Sequence, residues 1–449
     1  MKNPCKQGLL TVAVFLLSLV YAAKSLLHRK KAAGYERRRK AAIKKWQLRL
    51  FGPELTPAAA EPAGDFSALS TDIKALAFYL PQFHAIPEND EWWGKGFTEW
   101  TNVRTALPRF SGHDQPRVPH PDIGHYDLAN PDTLRRQAAL AKRHGIYGFC
   151  FYHYWFSGRR LLEKPLDLLL ADPDIDLPFC LCWANESWGR NWDGENHKIL
   201  MEQPYNPGDP ELFIDDAQKY LRDPRYITVK GRPLLIIYRE PLIPDSADFF
   251  RRMKARAVAL GMPEPLIYVV LSHDLKNMDT LVADGLVEFV PHRPAFAQRG
   301  FLSFSHKGGT IYDYTDTMNT YLDAVPAEEA FRLPVHKSVC LAWDNSARRK
   351  DGWRMWMGFT QERYHHWLEQ VVAYTRRNFP EDERFLFINA WNEWGEGIYL
   401  EPDVRTGYAA LNTTAKALFG LPCDDSKEPA GVSAATKPDL SPKGARFRT

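Results

Sequence analysis

What this chain has little of narrows the field first. It has six cysteines in 449 residues, with neither the paired CxxC spacing of a zinc site nor the density of a disulfide scaffold. Cys150, Cys180, Cys182 and Cys340 sit inside apolar runs, where a free thiol packs as a small hydrophobe. That usage fits a reducing compartment better than an oxidising one. No GxxxxGK[ST] loop and no GxGxxG turn occurs, which removes the motif-based case for a phosphate cradle or a dinucleotide. His84, His153 and His365 stand at no ligand spacing, and Asp172, Asp174 and Asp176 read as a turn before a strand. No metal and no cofactor is expected.

A broad excess of one charge is missing as well. The net charge is +3, yet residues 24–49 hold eleven Lys/Arg against the single acid Glu36, and that +10 leaves −7 for the remainder. The basic surplus therefore belongs to an arm, and no nucleic-acid partner is expected of the body.

What is there begins with Gln7 to Ala23, 17 uncharged and mostly apolar residues. That is the lower edge of what spans a bilayer and slightly long for a signal-peptide core. Ala22 and Ala23 would permit cleavage, which gives the alternative of a secretory or lumenal protein. Lys24, Arg29, Lys30 and Lys31 follow at once, however, and such a cluster resists translocation. The expectation is a single amino-terminal membrane anchor with the body in the cytoplasm; a reporter fused after Thr449 should then be active only there, and activity on the far side would refute it. The arm carries Ile43, Trp46 and Leu50 at helical spacing among Lys and Arg, so an anionic membrane surface is its expected partner. The domain reading is residues 1–27 as anchor or signal segment, 28–70 as basic arm and Pro/Ala-rich linker, 71–420 as the folded domain and 421–449 as a disordered tail.

Within 71–420, short apolar runs alternate with helical patterns. The runs Leu76–Leu80, Tyr147–Phe151, Phe179–Cys182, Leu234–Tyr238, Ile267–Leu271, Val287–Val290, Ser338–Ala342 and Phe385–Ile388 predict eight strands buried on both faces. Pro131 to His144 predicts a helix with Asn130 as cap and Gly145 just beyond. Ser246–Leu260 and Glu362–Tyr374 are two more. Eight βα units predict an α/β fold, a (β/α)₈ TIM barrel, with the site at the carboxyl ends of its strands.

Polar and aromatic residues do gather at those ends. Tyr79, Gln82 and His84 follow the first strand, and Tyr152, His153, Tyr154 and Trp155 the second. The third leads into Trp183, Asn185, Glu186 and Trp188, and the seventh into Trp343, Asp344 and Asn345. The long first loop adds Trp92, Trp93, Thr98, Glu99 and Trp100, too many rings for a disordered segment, and predicts a cleft wall. After the eighth strand comes Trp391–Gly397, WNEWGEG, then Tyr399. Here Asn392, Glu393 and Glu396 stand among Trp391, Trp394 and Tyr399, and Gly395 and Gly397 allow a tight path. Two carboxylates three apart at a strand's mouth can converge on one small space, as glycosidic chemistry requires. Trp93, Trp183, Trp188 and Trp394 are predicted to offer flat faces to sugar rings.

The stretches YLPQFH (Tyr79–His84), WWGKGFTEWTNV (Trp92–Val103), GFCFYHYWFSG (Gly148–Gly158), CWANESW (Cys182–Trp188) and WNEWGEG make the chain resemble the WbsX-like glycosyltransferase family. That family is similar in turn to family 99 of the glycoside hydrolases, (β/α)₈-barrel endo-α-mannosidases and endo-α-mannanases. The resemblance implies a carbohydrate-active enzyme with a glycan or sugar donor as its substrate. In the hydrolases the first Glu of the NEWxEG pattern helps the substrate's own 2-hydroxyl attack the anomeric carbon, and the second is the acid/base. Carried over, these are Glu393 and Glu396, with Glu396 expected to hold its proton at neutral pH. Three functions compete: a retaining enzyme that builds or remodels a surface polysaccharide of O-antigen or capsule type, an endo-glycosidase using the same carboxylates, and a silent barrel that binds glycan through its aromatics.

Overall fold

The computed structural model describes residues 60–423 except 111, 190–198, 272–273, 276–279, 292–302, 307, 326–328 and 330. The predicted anchor and basic arm, and the predicted disordered tail from residue 424 onward, lie outside the described residues. Among the described residues no helix is long and apolar enough to cross a membrane.

All eight predicted strands form, and they make one barrel. In chain order they are β1 (Lys74–Tyr79), β2 (Ile146–Phe156), β3 (Phe179–Trp183), β4 (Arg232–Ile237), β5 (Leu266–Leu271), β6 (Gly285–Glu288), β7 and β8 (Phe385–Asn389). β7 comes in two pieces, Val335–His336 and Ser338–Cys340, with only Lys337 between them. The first piece pairs in parallel with β6 and the second in parallel with β8. β1 pairs with β2 on one side and β8 on the other, so the parallel sheet closes on itself through β7. Lys337 lies inside the closure, its Nζ 2.6 Å from Glu288 Oε1, with both side chains buried.

The runs are strands because they are uninterrupted apolar and β-branched stretches ended by polar loops, and the barrel buries both of their faces. Leu76, Ile236, Val269 and Ile388 are wholly inaccessible. Helices cover the outside. Residues Pro131–Arg143 start on Asn130, whose side chain accepts from the Asp132 N–H at 3.0 Å. Ser246–Ala259 starts on Asp245, and Gln361–Asn378 on Thr360, whose hydroxyl accepts from the Arg363 N–H. Each runs as predicted to within a few residues, the last extending four residues further to Asn378, with Thr375 still buried. The predicted Asp172 turn is also present: its carboxylate accepts from the Asp174 N–H and from Arg135 Nε.

Strand alternation then decides which mouth residues can face inward. In β2, Tyr152 and Tyr154 line the barrel's open end while His153, between them, packs outward against Phe213 and Tyr220.

Candidate active site: a carboxylate pair on one guanidinium

At the carboxyl ends of the strands a cleft of about 270 Å³ opens. Of the residues predicted for it, Gln82, Trp93, Tyr152, Tyr154, Glu186, Trp188, Glu393 and Glu396 are in its lining. Leu80, Asn89, Tyr238, Phe289, Asn389 and Arg348 are among the other residues of the wall.

Glu393 and Glu396 follow β8 in a tight turn of short strand and one 3₁₀ turn, Trp394–Glu396. Arg348, five residues beyond Trp343 in the loop after β7, enters from the side and spends each arm of its guanidinium on a different carboxylate. Its Nη2 donates to Glu393 Oε2 at 2.8 Å, Nη1 to Glu396 Oε1 at 2.9 Å, and Nε to Glu99 Oε1 at 2.7 Å. The planar fork suits this, since no ammonium could serve three carboxylates in fixed directions. Glu99 comes from the first loop, on helix Glu99–Thr105, and is wholly buried. Its seat exists because residue 395 is glycine: a Cβ there would stand 1.7 Å from Glu99 Oε1 and 2.8 Å from Arg348 Nε. Three loops, after β1, β7 and β8, are thus joined at one cation.

The two carboxylates of the pair differ in exposure. The Glu393 side chain is 10% exposed and that of Glu396 23%, so Glu396 is the more open to the cleft. Trp343 Nε1 donates to the second oxygen of Glu396 at 3.2 Å. Burial raises the Glu393 carboxyl to about 7; Arg348 opposes the rise, and Glu396 and Glu99 add to it. Glu393 is thus a carboxyl whose proton is held more tightly than usual.

A second buried carboxyl, Glu401, supports the turn. Its oxygens accept from Trp391 Nε1 (3.1 Å), Trp394 Nε1 (2.7 Å), Gln137 Nε2 (2.7 Å) and the Tyr126 hydroxyl (2.8 Å). Burial raises it to about 7 against the pull of those four donors. Because it holds the indoles on either side of Glu393, it fixes the turn from beneath.

Several predicted cleft residues belong to this supporting layer instead, and the reason is geometric. Trp183 alternates outward from β3 and packs on Phe213 and Phe249. Trp394 turns down to Glu401 and stacks on Tyr399 at 3.7 Å, with Trp100 on its other side. None of these four rings lines the cleft, so the expected stacking faces of Trp183 and Trp394 are corrected to core. Tyr79 points outward to Gln137, and Trp100 donates to the Tyr126 carbonyl. His84 is buried outside the cleft lining, and desolvation lowers its pKa. Asn185 binds the Arg239 backbone on both its amide atoms, and Asn392 does the same to Leu80, each tying one loop to the end of a neighbouring strand. Asp344 receives His113 Nε2 at 2.8 Å and Gln115 Nε2 at 2.9 Å. Burial works against its charge, but those bonds and nearby Arg117 hold its pKa well below the usual carboxylate range.

Trp183→Ala should accordingly cost about 3–5 kcal/mol of stability, as deletion of a fully buried aromatic does. Trp188→Ala, at the half-exposed cleft wall, should leave the melting temperature nearly unchanged. Chemical denaturation of the two variants checks this, and equal losses would refute the assignment of Trp188 to the wall.

Arg348 and Tyr238 are the functional residues the sequence did not yield. Tyr238 comes directly after β4, at the end of an apolar run like the one before Tyr152, so the same aromatic-at-the-mouth signal applied to it. Arg348 stands in the run Arg348–Lys350, which reads as solvated charge.

A (β/α)₈ barrel thus carries a carboxylate pair and an aromatic-walled cleft at its carboxyl face. The chain belongs to the glycosyltransferase WbsX family, whose pattern matches residues 75–414. It is 43% identical over 350 residues to the uncharacterized protein WxcX of Xanthomonas campestris pv. campestris strain B100, a match covering 77% of this chain and 50% of that protein. WxcX of strain ATCC 33913 matches to the same extent. The chain thus spans about half the length of the curated relatives it matches. Among solved structures, its fold is similar to that of a glycoside hydrolase-like protein (TM-score 0.50, 15% identity, 82% of this chain and 99% of that one). The GH99 endo-alpha-mannosidase from Bacteroides thetaiotaomicron aligns over 78% of this chain and 97% of its own, with TM-score 0.49 and 16% identity.

Proposed function

We propose that the protein makes or remodels a surface polysaccharide by a retaining reaction at glycosidic bonds, with Glu393 and Glu396 as the reacting carboxylates. The observation that carries this reading is the pair itself: two carboxylates on one guanidinium, lining a cleft walled by Trp93, Trp188, Tyr152 and Tyr154.

In the first step Glu393 takes the proton of the sugar's 2-hydroxyl, whose oxygen bonds to the anomeric carbon as the bond to the leaving oxygen breaks. Glu396 gives its proton to that leaving oxygen. In the second step an acceptor hydroxyl bonds to the anomeric carbon and yields its proton to Glu396, while the bond to O2 opens and O2 recovers the proton from Glu393. Two inversions leave the configuration retained. A carboxyl near 7 suits a base working at neutral pH. In this scheme substrate takes the place of the Arg348 Nη1 contact on Glu396, which then faces the leaving oxygen.

Membership of a glycosyltransferase family supports a sugar hydroxyl as acceptor. Hydrolysis is the second reading, and one observation favours a glycoside over a nucleotide-sugar as donor. Among the described lining residues the one cation, Arg348, has its charge already set against three carboxylates, which leaves the cleft poorly matched to a diphosphate. Incubating the protein with nucleotide-sugars and with α-mannan oligosaccharides, and reading products by mass spectrometry, separates the two. Lengthened glycans support transfer and shortened ones hydrolysis; saturable binding without any product would sink both.

A further inference from the structure

Asn89 is an anomaly in the cleft wall. It is 1% exposed, it lines the cleft, and among the described residues neither its Nδ2 nor its Oδ1 has a hydrogen-bond partner. Burying a side-chain amide with both ends unpaired costs free energy; Asn185 and Asn392 are each bonded at nitrogen and oxygen, and Asn389, also in the lining, is bonded at its nitrogen and unpaired only at Oδ1. Asn89 is also rigidly placed. It sits mid-helix in Pro87–Trp93, and the Asp90 carboxylate just after it fixes the following turn by accepting from the Gly96 N–H at 2.7 Å.

Trp93 comes four residues later on the same helix, so the two side chains share one face, and both line the cleft. A flat apolar ring beside an amide with a free donor and a free acceptor is the pattern that a pyranose completes. Its C–H face lies on the indole. One hydroxyl accepts from Nδ2–H, and its neighbour on the ring donates to Oδ1. An amide also does this without adding charge to a wall that already carries Glu186, Glu393 and Glu396.

Resting on the proposed glycosidic reaction, we infer that Asn89 and Trp93 form a sugar subsite selective for a ring with two adjacent free hydroxyls, and that Asn89 reads that pair. The subsite excludes rings that are deoxygenated or substituted at either position, because one end of the amide would then stay buried and unpaired.

Asn89→Leu tests this through two measurements. The melting temperature of the variant without sugar should equal or exceed that of the wild type, since an unsatisfied amide is replaced by an apolar group of similar size. A fall of several degrees would show a structural amide and overturn the inference. Calorimetric titration with α-mannobiose and its singly deoxygenated analogues is the second. The wild type should lose about tenfold or more in affinity when either of two neighbouring hydroxyls is removed. The variant should lose as much on α-mannobiose itself and discriminate no further among those analogues; unchanged affinity or unchanged discrimination would overturn the inference. If the wild type does not bind α-mannobiose at all, the subsite inference is overturned, whereas the proposed reaction stands or falls separately on the products formed from nucleotide-sugars and oligosaccharides.

Discussion

Glu396→Gln should lower turnover on a natural glycoside by about 10²–10⁴, because the amide keeps the shape of the side chain but cannot pass a proton to the leaving oxygen. The loss should shrink markedly with an activated leaving group, such as a nitrophenyl glycoside, that departs without acid help. Glu393→Gln should behave differently. Its task is to take the 2-hydroxyl proton, so an activated leaving group does not relieve the defect. Both variants should fold, since Gln keeps the side chain's size and its amide oxygen can still accept from Arg348, and neither carboxylate gathers core indoles as Glu401 does. Steady-state rates on the two classes of donor check the pattern, and wild-type turnover in both variants would place the reaction elsewhere.

The second large effect concerns pH. Glu393 must be ionised to act, so kcat/KM should fall as pH drops below about 7, the value to which burial raises this carboxyl. The charged and titratable groups that bear on it are Arg348, Glu396 and Glu99, with Tyr152 and Tyr154 on the β2 side. Arg348→Met removes the cation that favours the ionised form, and the acid limb should move upward by about one to three units. Glu99→Gln removes a carboxylate that disfavours it, and the limb should move downward. Arg348→Lys keeps the charge and should leave the limb nearer the wild-type position, though with a looser pair. Opposite shifts are the signature of an electrostatic role, because a loosened loop would lower activity at every pH without moving the limb. Shifts in the same direction in Arg348→Met and Glu99→Gln would contradict it.

The barrel was legible because each strand is a short uncharged run that polar loops interrupt, and burial on both faces demands such runs. Phe385–Ile388 and Ile267–Leu271 were placed to within one residue. The reacting pair was legible for a similar reason: Glu393 and Glu396 stand where an apolar strand turns abruptly polar. Facing was less legible. At the mouth of β2 and β3 every aromatic residue carries the same signal, but a period of two sends His153 and Trp183 outward and keeps only Tyr152 and Tyr154 in the cleft. Trp394, Tyr399 and Trp100 were misplaced for another reason. Their rings form a buried layer organised by Glu401, a long-range arrangement that local pattern does not encode. Arg348 shows the same limit, since its partners are 249, 48 and 45 residues away in the chain.

The most direct test of the retaining carboxylate pair is the anomeric configuration of the first product formed. Proton NMR spectra recorded in the opening minutes of reaction, before the sugar mutarotates, report it on any donor the protein turns over. The configuration of the donor should be kept, as two successive inversions at one carbon require. A product of inverted configuration would contradict the pair's proposed roles, because it would mean that the acceptor attacks the anomeric carbon directly and Glu393 never recruits the 2-hydroxyl.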